Sequence, residues 1–135
     1  MPNLFFKGRV PHAEVPAALA GCDVVLAPYA KRVEIADGQT DVSRWMSPLK
    51  IFEYMAQGHA IMASDLPVIR EVLEDGVSAA LCPPDAPEAW ARRLDALLTD
   101  PAARRRLGDH ARDLLETRYT WQRRARYILD KITAD

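Results

Sequence analysis

The sequence predicts an α/β fold, a Rossmann-like doubly wound parallel sheet of about four strands followed by a helical tail. Three observations predict it. Short apolar runs of strand length alternate with amphipathic stretches between residues 3 and 82. The run Val24-Val25-Leu26-Ala27 is continuously apolar, which suits a strand covered on both faces. From residue 85 onward the apolar positions recur only at helical spacing. Strands that alternate with helices pair in parallel, because each helix carries the chain back to the same end of the sheet.

Each element has a local reason. Residues 3–10 (NLFFKGRV) read as a strand, and residues 11–20 as a short helix with Val15 and Leu19 inward and Gly21 as its stop. The second strand spans residues 23–28. Residues 29–46 form a long irregular segment, of a length that in a compact domain usually serves function. A helix then opens at Ser47, a good N-cap, with Pro48 in the first turn, where helices accept proline. Helical spacing turns Ile51, Phe52 and Met55 inward and sets Ser47, Lys50, Glu53 and Gln57 on another stripe; Gly58 ends the helix. Residues 60–63 are a short apolar strand that leaves through the turn Ser64-Asp65-Leu66-Pro67. Residues 67–73 form a short helix and residues 78–82 a further strand. Asp85 and Glu88 form a cap pair for a helix to Leu98, with Trp90, Leu94 and Leu97 inward. Asp100-Pro101 opens the next helix, with Leu107, Ala111, Leu114 and Leu115 inward. Thr120 caps the last, with Trp121, Ala125, Ile128, Leu129 and Ile132 on one side.

Composition bounds the function. The chain has 135 residues, one domain's worth, and is 49% hydrophobic with a net charge of −1. That balance does not suit a general nucleic-acid binder. The run Arg104-Arg105-Arg106 reads as a solvated helix face, diluted by Asp109 and Asp113. Cys22 and Cys82 sit far apart in apolar contexts and read as reduced core thiols. The three histidines show no metal-ligand spacing, so no zinc site is expected. With no apolar run long enough to span a membrane and no signal-like opening, a cytoplasmic domain is expected.

The chemistry concentrates in residues 47–64. A helix N-terminus offers unpaired N–H groups and a partial positive charge, which suits a phosphate. The third residue after Ser47 is Lys50, so no capping-box carboxylate competes for those donors, and the ammonium adds a second cation. Glu53, one turn on, is an acceptor suited to the paired hydroxyls of a ribose. An ordinary amphipathic helix with a solvated charged face has the same spacing. Topology points to the same place, since ligands of open α/β sheets bind at the carboxyl ends of the strands. That rim would carry Pro28, Tyr29, Ser47 and the Asp65-Leu66-Pro67 turn.

The motif S-P-L-K-I-F-E-Y-M-A-x-G from Ser47, followed by a buried strand and A-S-D-L-P, resembles the C-terminal donor-binding domain of group 1 glycosyltransferases. These are retaining, nucleotide-sugar-dependent enzymes of the GT-B fold, glycosyltransferase family 4. The likeness continues in F-K-G-R-V at residues 6–10, C-D-V-V-L-A-P-Y at 22–29, E-V-L-E-D-G at 71–76, C-P-P-D at 82–85 and Y-T-W at 119–121. It implies that the donor diphosphate lies at the helix mouth formed by Ser47 and Pro48, with Leu49 and Lys50 beside the phosphates. It implies that Glu53 holds the ribose hydroxyls; Tyr29, placed on the same rim by topology, is counted with these as a substrate-binding residue. The donor is a nucleotide diphosphate sugar; no cofactor and no metal are implied, and no residue is assigned a catalytic role.

Two departures accompany the resemblance. The family commonly carries another glutamate eight positions before the one matching Glu53, and Trp45 stands there; Asp41 and Ser43 are the nearby polar alternatives. Residues 3–10 already resemble the family's third donor-domain strand. Residues 1–135 therefore correspond to part of a C-terminal nucleotide-sugar-binding domain, without the acceptor-binding N-terminal domain. The implied function is the donor portion of a retaining hexosyltransferase acting on a glycan or lipid-linked saccharide, active only with its missing parts. The whole enzyme would be cytoplasmic and peripheral at the inner face of the membrane. The alternative is a non-catalytic nucleotide-binding or protein-interaction module derived from that fold.

Overall fold

The computed structural model describes residues 3–32 and 47–133. Three parallel strands, β1 Val24–Ala27, β2 Ala60–Ser64 and β3 Ala80–Cys82, form one sheet in that order. Val24 to Ala27 stand opposite Ala60 to Ala63, and Met62 to Ser64 opposite Ala80 to Cys82. The helices are α1 Val15–Ala20, α2 Leu49–Gln57, α3 Pro67–Arg70, α4 Pro87–Thr99, α5 Pro101–Arg118 and α6 Trp121–Ile132. A 3-10 turn, His12–Glu14, leads into α1. The parallel α/β class is as the sequence predicts.

The fourth strand expected at residues 3–10 does not form. A strand is held by ladder pairing, and this stretch pairs with no strand among the described residues; Phe5 and Phe6 are 78% and 90% exposed. The sheet described therefore has three strands rather than four. As a consequence β1 is an edge strand. Val25 and Ala27 are buried but Leu26 is exposed, so β1 is not covered on both faces as its unbroken apolar run suggested.

The strand covered on both faces is β2. All five of its residues are buried. Period-two alternation sends Ile61 and Ala63 into a core with Ile51, Met55, Ile69 and Ala111. It sends Met62 into a second core with Cys82, Leu97 and Leu107. Burying a side chain such as Ile61 or Met62 contributes about 1.5–3 kcal/mol, and β2 supplies such residues to both layers. Helices α2 and α3 cover one face and α4 the other, while α5 sends Leu107 to one core and Ala111 to the other. This is the doubly wound arrangement in miniature.

Caps and polar staples hold the layers. Asp100 caps α5 by accepting from the Ala103 N–H at 2.9 Å, and Thr120 caps α6 by accepting from the Arg123 N–H at 3.3 Å. The expected cap pair of α4 is not made. Its N-cap is Ala86, with no side-chain cap, and Asp85 pairs instead with Lys31. Arg104 is not part of a solvated face. Its guanidinium donates to the carbonyls of Leu97 and Leu98 at 2.7 and 2.9 Å and to Asp23 at 3.0 Å, tying the end of α4 to the approach to β1. Both cysteines are free thiols, but only Cys82 is buried; Cys22 sits exposed at the exit of α1, where Asp23 follows it into solvent. Helix α6 carries its apolar stripe in the expected period, yet none of its residues is buried.

A close backbone approach joins α5 to the turn from α2 to β2. Gly58 ends α2 with φ +68°, the left-handed conformation glycine adopts without strain. Gly108, inside α5, presses on that turn. A Cβ at Gly108 would stand 2.0 Å from the Gly58 carbonyl oxygen and 2.8 Å from its carbon. Both are backbone atoms, so no side-chain rotation relieves the clash. Glycine costs a helix interior about 1 kcal/mol against alanine, and here it permits the approach. Gly108→Ala is therefore expected to lower stability by about 3 kcal/mol, the upper range for overpacking, measured by urea unfolding. An alanine variant as stable as the parent would show that α5 does not lie this close.

The turn after β2 is held by Asp65. Its N–H donates to the Cys82 carbonyl at 2.7 Å, and its carboxylate accepts two bonds from the Arg70 guanidinium at 2.5 and 2.8 Å. That hydrogen bonding, with Arg70's charge adding, holds the Asp65 carboxyl below the usual carboxylate value against a partial desolvation. A folded-state pKa below the unfolded one gives stability that is present above the unfolded value and is lost as pH falls through the folded value. Asp65→Asn should thus lower stability at neutral pH, and the gap should close as pH drops through the carboxylate range. Unfolding curves at neutral and acid pH measure this; a pH-independent gap would refute it.

Candidate functional site at the mouth of helix α2

Helix α2 passes through Gly58 and His59 directly into the start of β2. Its nine residues span about 13 Å, and the five of β2 about 16 Å. The N-terminus of α2 consequently comes back level with the carboxyl ends of the strands. Packing of Ile51 and Met55, both fully buried, fixes the helix along the sheet. The opposite stripe, Ser47, Lys50, Glu53 and Gln57, is exposed, as the spacing predicts.

The start of the helix differs from the sequence reading. The N-cap is Pro48, not Ser47, and no side chain caps it. Pro48 has ψ 68°, outside the helical range, so helical backbone begins one residue later than a Ser47 cap requires. The first bonds are tight ones: the Leu49 N–H donates to the Ser47 carbonyl at 2.9 Å, and the Ile51 N–H to the Pro48 carbonyl at 2.8 Å. Pro48 itself is buried, while Ser47 and Leu49 are exposed. Among the described residues no carboxylate or hydroxyl caps the mouth, and no acidic residue stands in the first turn to neutralise the positive end of the helix dipole.

Two of the predicted residues come together there. The Lys50 ammonium lies 5.9 Å from the centroid of the Tyr29 ring, within cation–π reach. Tyr29 is half-buried, and burial pushes its phenol up. Its backbone is gripped by Ser64, the last residue of β2: the Tyr29 N–H donates to Ser64 Oγ at 2.7 Å, and the same hydroxyl donates to the Tyr29 carbonyl at 2.7 Å. Glu53 follows one turn along the exposed stripe. Burial raises the neighbouring Tyr54 phenol, with smaller contributions from Tyr29 and Glu53, and that phenol donates to the Leu26 carbonyl at 3.4 Å. Lys50 and Tyr29 therefore meet at the mouth, and Glu53 lies one turn further along the same exposed stripe of α2.

Sequence reasoning missed Ser64, which it read only as the first residue of a turn. The signal available was a small polar residue closing an apolar strand, and that pattern is common at strand ends. Trp45, Asp41 and Ser43, weighed as the position of a further donor contact, lie outside the described residues. So does most of the irregular segment expected at residues 29–46. Among the described residues no cluster of acidic, histidine and cysteine side chains could hold a metal ion. A cleft of about 460 Å³ lies elsewhere, between the turn leading to β3 and the second half of α5; Arg70, Glu74, His110, Asp113 and Arg118 border it, and none of the expected site residues does.

Comparison with known proteins bears on the family and the fold. Residues 3–130 match the family described as glycosyl transferase-like. A phosphatidyl-myo-inositol mannosyltransferase of Mycolicibacterium smegmatis is 30% identical over 119 residues, 88% of this chain and 28% of that protein. Spore coat protein SA of Bacillus subtilis is 33% identical over 90 residues, 64% of this chain and 24% of its own. The chain thus spans about a quarter of the length of these relatives. Among solved structures, the C-terminal domain of the group 1 glycosyl transferase LpcC from Francisella tularensis superposes with a TM-score of 0.67 at 22% identity, over 87% of this chain and 54% of that one. Anabaena HepE, solved with UDP, gives a TM-score of 0.74 at 18% identity, over 92% and 31% of the two chains. Sucrose-phosphate synthase of Thermosynechococcus elongatus gives 0.73 at 20%, over 97% and 31%. With the S-P-L-K motif opening α2, the parallel sheet beside it and a family match running from residue 3 to residue 130, the chain belongs to the glycosyl transferase-like family and has the fold of group 1 GT-B glycosyltransferase domains.

Proposed function

We propose that this chain binds the nucleotide diphosphate sugar donor of a retaining hexosyltransferase, with a glycan or lipid-linked saccharide as the acceptor. The observation that carries the reading is the uncapped mouth of α2 at the strand rim, with the Lys50 ammonium beside it against Tyr29. A diphosphate would meet backbone N–H groups of the first turn and the Lys50 charge together. Leu49 and Pro48 shape the mouth, Ser47 borders it, and Glu53 is placed to accept from ribose hydroxyls. The UDP in HepE and the mannosyl transfer named in the mycobacterial relative support a nucleotide-sugar donor. In this reading the acceptor is held by a second domain, and the chain by itself binds donor without turning it over.

Peripheral contact at the inner face of the membrane belongs to the same proposal. Its physical candidate is α6, where Trp121, Ile128, Leu129 and Ile132 are exposed alongside Arg123, Arg124, Arg126 and Lys131. No helix among the described residues is long and apolar enough to cross a membrane. The same exposed stripe favours the second reading, a non-catalytic interaction module, since an uncovered amphipathic helix is also a docking face.

The test is titration of uridine and guanosine diphosphates into the native chain and Glu53→Gln, with the deoxyribose analogues as controls. Charge-assisted hydrogen bonds contribute on the order of 1.5–3 kcal/mol, so the substitution should weaken ribonucleotide binding roughly ten- to a hundredfold. Stability should hardly change, because Glu53 is exposed and the packed stripe of Ile51 and Met55 is untouched. Equal affinity for ribose and deoxyribose forms, or no effect of Glu53→Gln, would reject the assignment.

A further inference from the structure

Ser64 is fully buried at the carboxyl end of β2, and its hydroxyl is spent on one residue of another segment. It accepts from the Tyr29 N–H and donates to the Tyr29 carbonyl, each at 2.7 Å, across 35 positions of sequence. Main-chain pairing between β1 and β2 stops at Ala27 opposite Ala63. Pro28 then follows, which has no N–H to continue a ladder. The Ser64 side chain takes over where the ladder ends and fastens the next residue to the sheet.

We propose that Ser64 is a positioning residue for the phosphate end of the site, holding the Tyr29 ring where it orients the Lys50 ammonium at the mouth of α2. This rests on the donor-diphosphate reading of that mouth. The chain of contacts is short. Ser64 fixes both polar atoms of the Tyr29 backbone, which leaves the ring few directions from its half-buried root. The ring carries Lys50 at 5.9 Å. Lysine has four rotatable bonds, and an ammonium held against an aromatic face has fewer positions to lose when an anion arrives. A buried serine satisfied by local bonds could also serve packing alone. The two roles separate in whether the effect passes through Lys50.

The experiment titrates UDP into the native chain, Ser64→Ala, Lys50→Ala and the double variant, and follows the Lys50 side-chain resonances by NMR. In the native chain the Tyr29 ring current should shift the Lys50 ε-methylene protons upfield. In Ser64→Ala that shift should disappear and UDP binding weaken about tenfold, and in the double variant binding should be no weaker than in Lys50→Ala alone. Additive losses, or unchanged Lys50 resonances in a folded Ser64→Ala, overturn the proposal. If Ser64→Ala does not fold, Ser64→Cys, which keeps a side chain of similar size but only a weak donor and acceptor, takes over. It should shrink the Lys50 shift and lower UDP affinity, and unchanged resonances there overturn the proposal. Failure of the donor reading looks different. UDP would not bind the native chain, or Lys50→Ala would not affect it, and the resonances alone would then decide whether Ser64 positions Lys50.

Discussion

Strand β2 is buried along its whole length and feeds both cores, so neither of its ends can move without disturbing packing on both faces of the sheet. Its beginning is set by the meeting of Gly58 and Gly108, where α5 lies against the α2–β2 turn at a distance that leaves no room for a Cβ at position 108. Its end is set by Ser64 and by Asp65, one gripping Tyr29 and the other bound to the Cys82 carbonyl and to Arg70. A rigid interior strand with two fastened ends gives the rim a fixed reference. Everything proposed for function is measured from that rim.

Helix α2 hangs on the same strand. Helices α5 and α6 have side-chain caps in Asp100 and Thr120, whereas α2, like α1, α3 and α4, has none. A cap stabilises a helix by about 1 kcal/mol. Helix α2 does without it because Ile51 and Met55 are fully buried and the αL glycine closes its other end. Packing at one end of the element thereby leaves donors open at the other. A helix whose mouth is uncapped, unneutralised and attended by Lys50 is suited to an anion, and the fold places that mouth beside the strand ends.

The two readings of function divide the molecule between this rim and α6. The rim has the built character of a site: one buried hydroxyl, one oriented ring and one cation. The apolar face of α6 has period and exposure, with basic residues beside it, and acts on whatever covers it. A membrane surface and a partner surface make the same demand on such a helix, apolar contact flanked by charge. In the proposed reading the rim holds the donor and α6 provides the attachment.

Local pattern in the sequence determined the class of fold, the position of α2 by its inward stripe and its Gly58 stop, the caps Asp100 and Thr120, and the exposed stripe of Lys50 and Glu53. These depend on spacing and on backbone preference, which neighbours in sequence already express. Tertiary structure alone decided the rest. Residues 3–10 have strand composition, yet a strand exists only where a ladder partner does, and none is present among the described residues. Val24 to Ala27 have the unbroken apolar run of a central strand, yet they lie at an edge, with Leu26 exposed. Arg104 sits in a basic run and turns out to staple α4 to the approach to β1, because the carbonyls it meets belong to other elements. Gly108 carries no signal of its own in the helical pattern, and only the approach of the Gly58 backbone shows why no Cβ fits there. Ser64 reads as a turn residue until Tyr29, 35 positions away in sequence, closes on its hydroxyl. For Gly108 and Ser64 the deciding atom lies far off in sequence, at one end of β2 or the other.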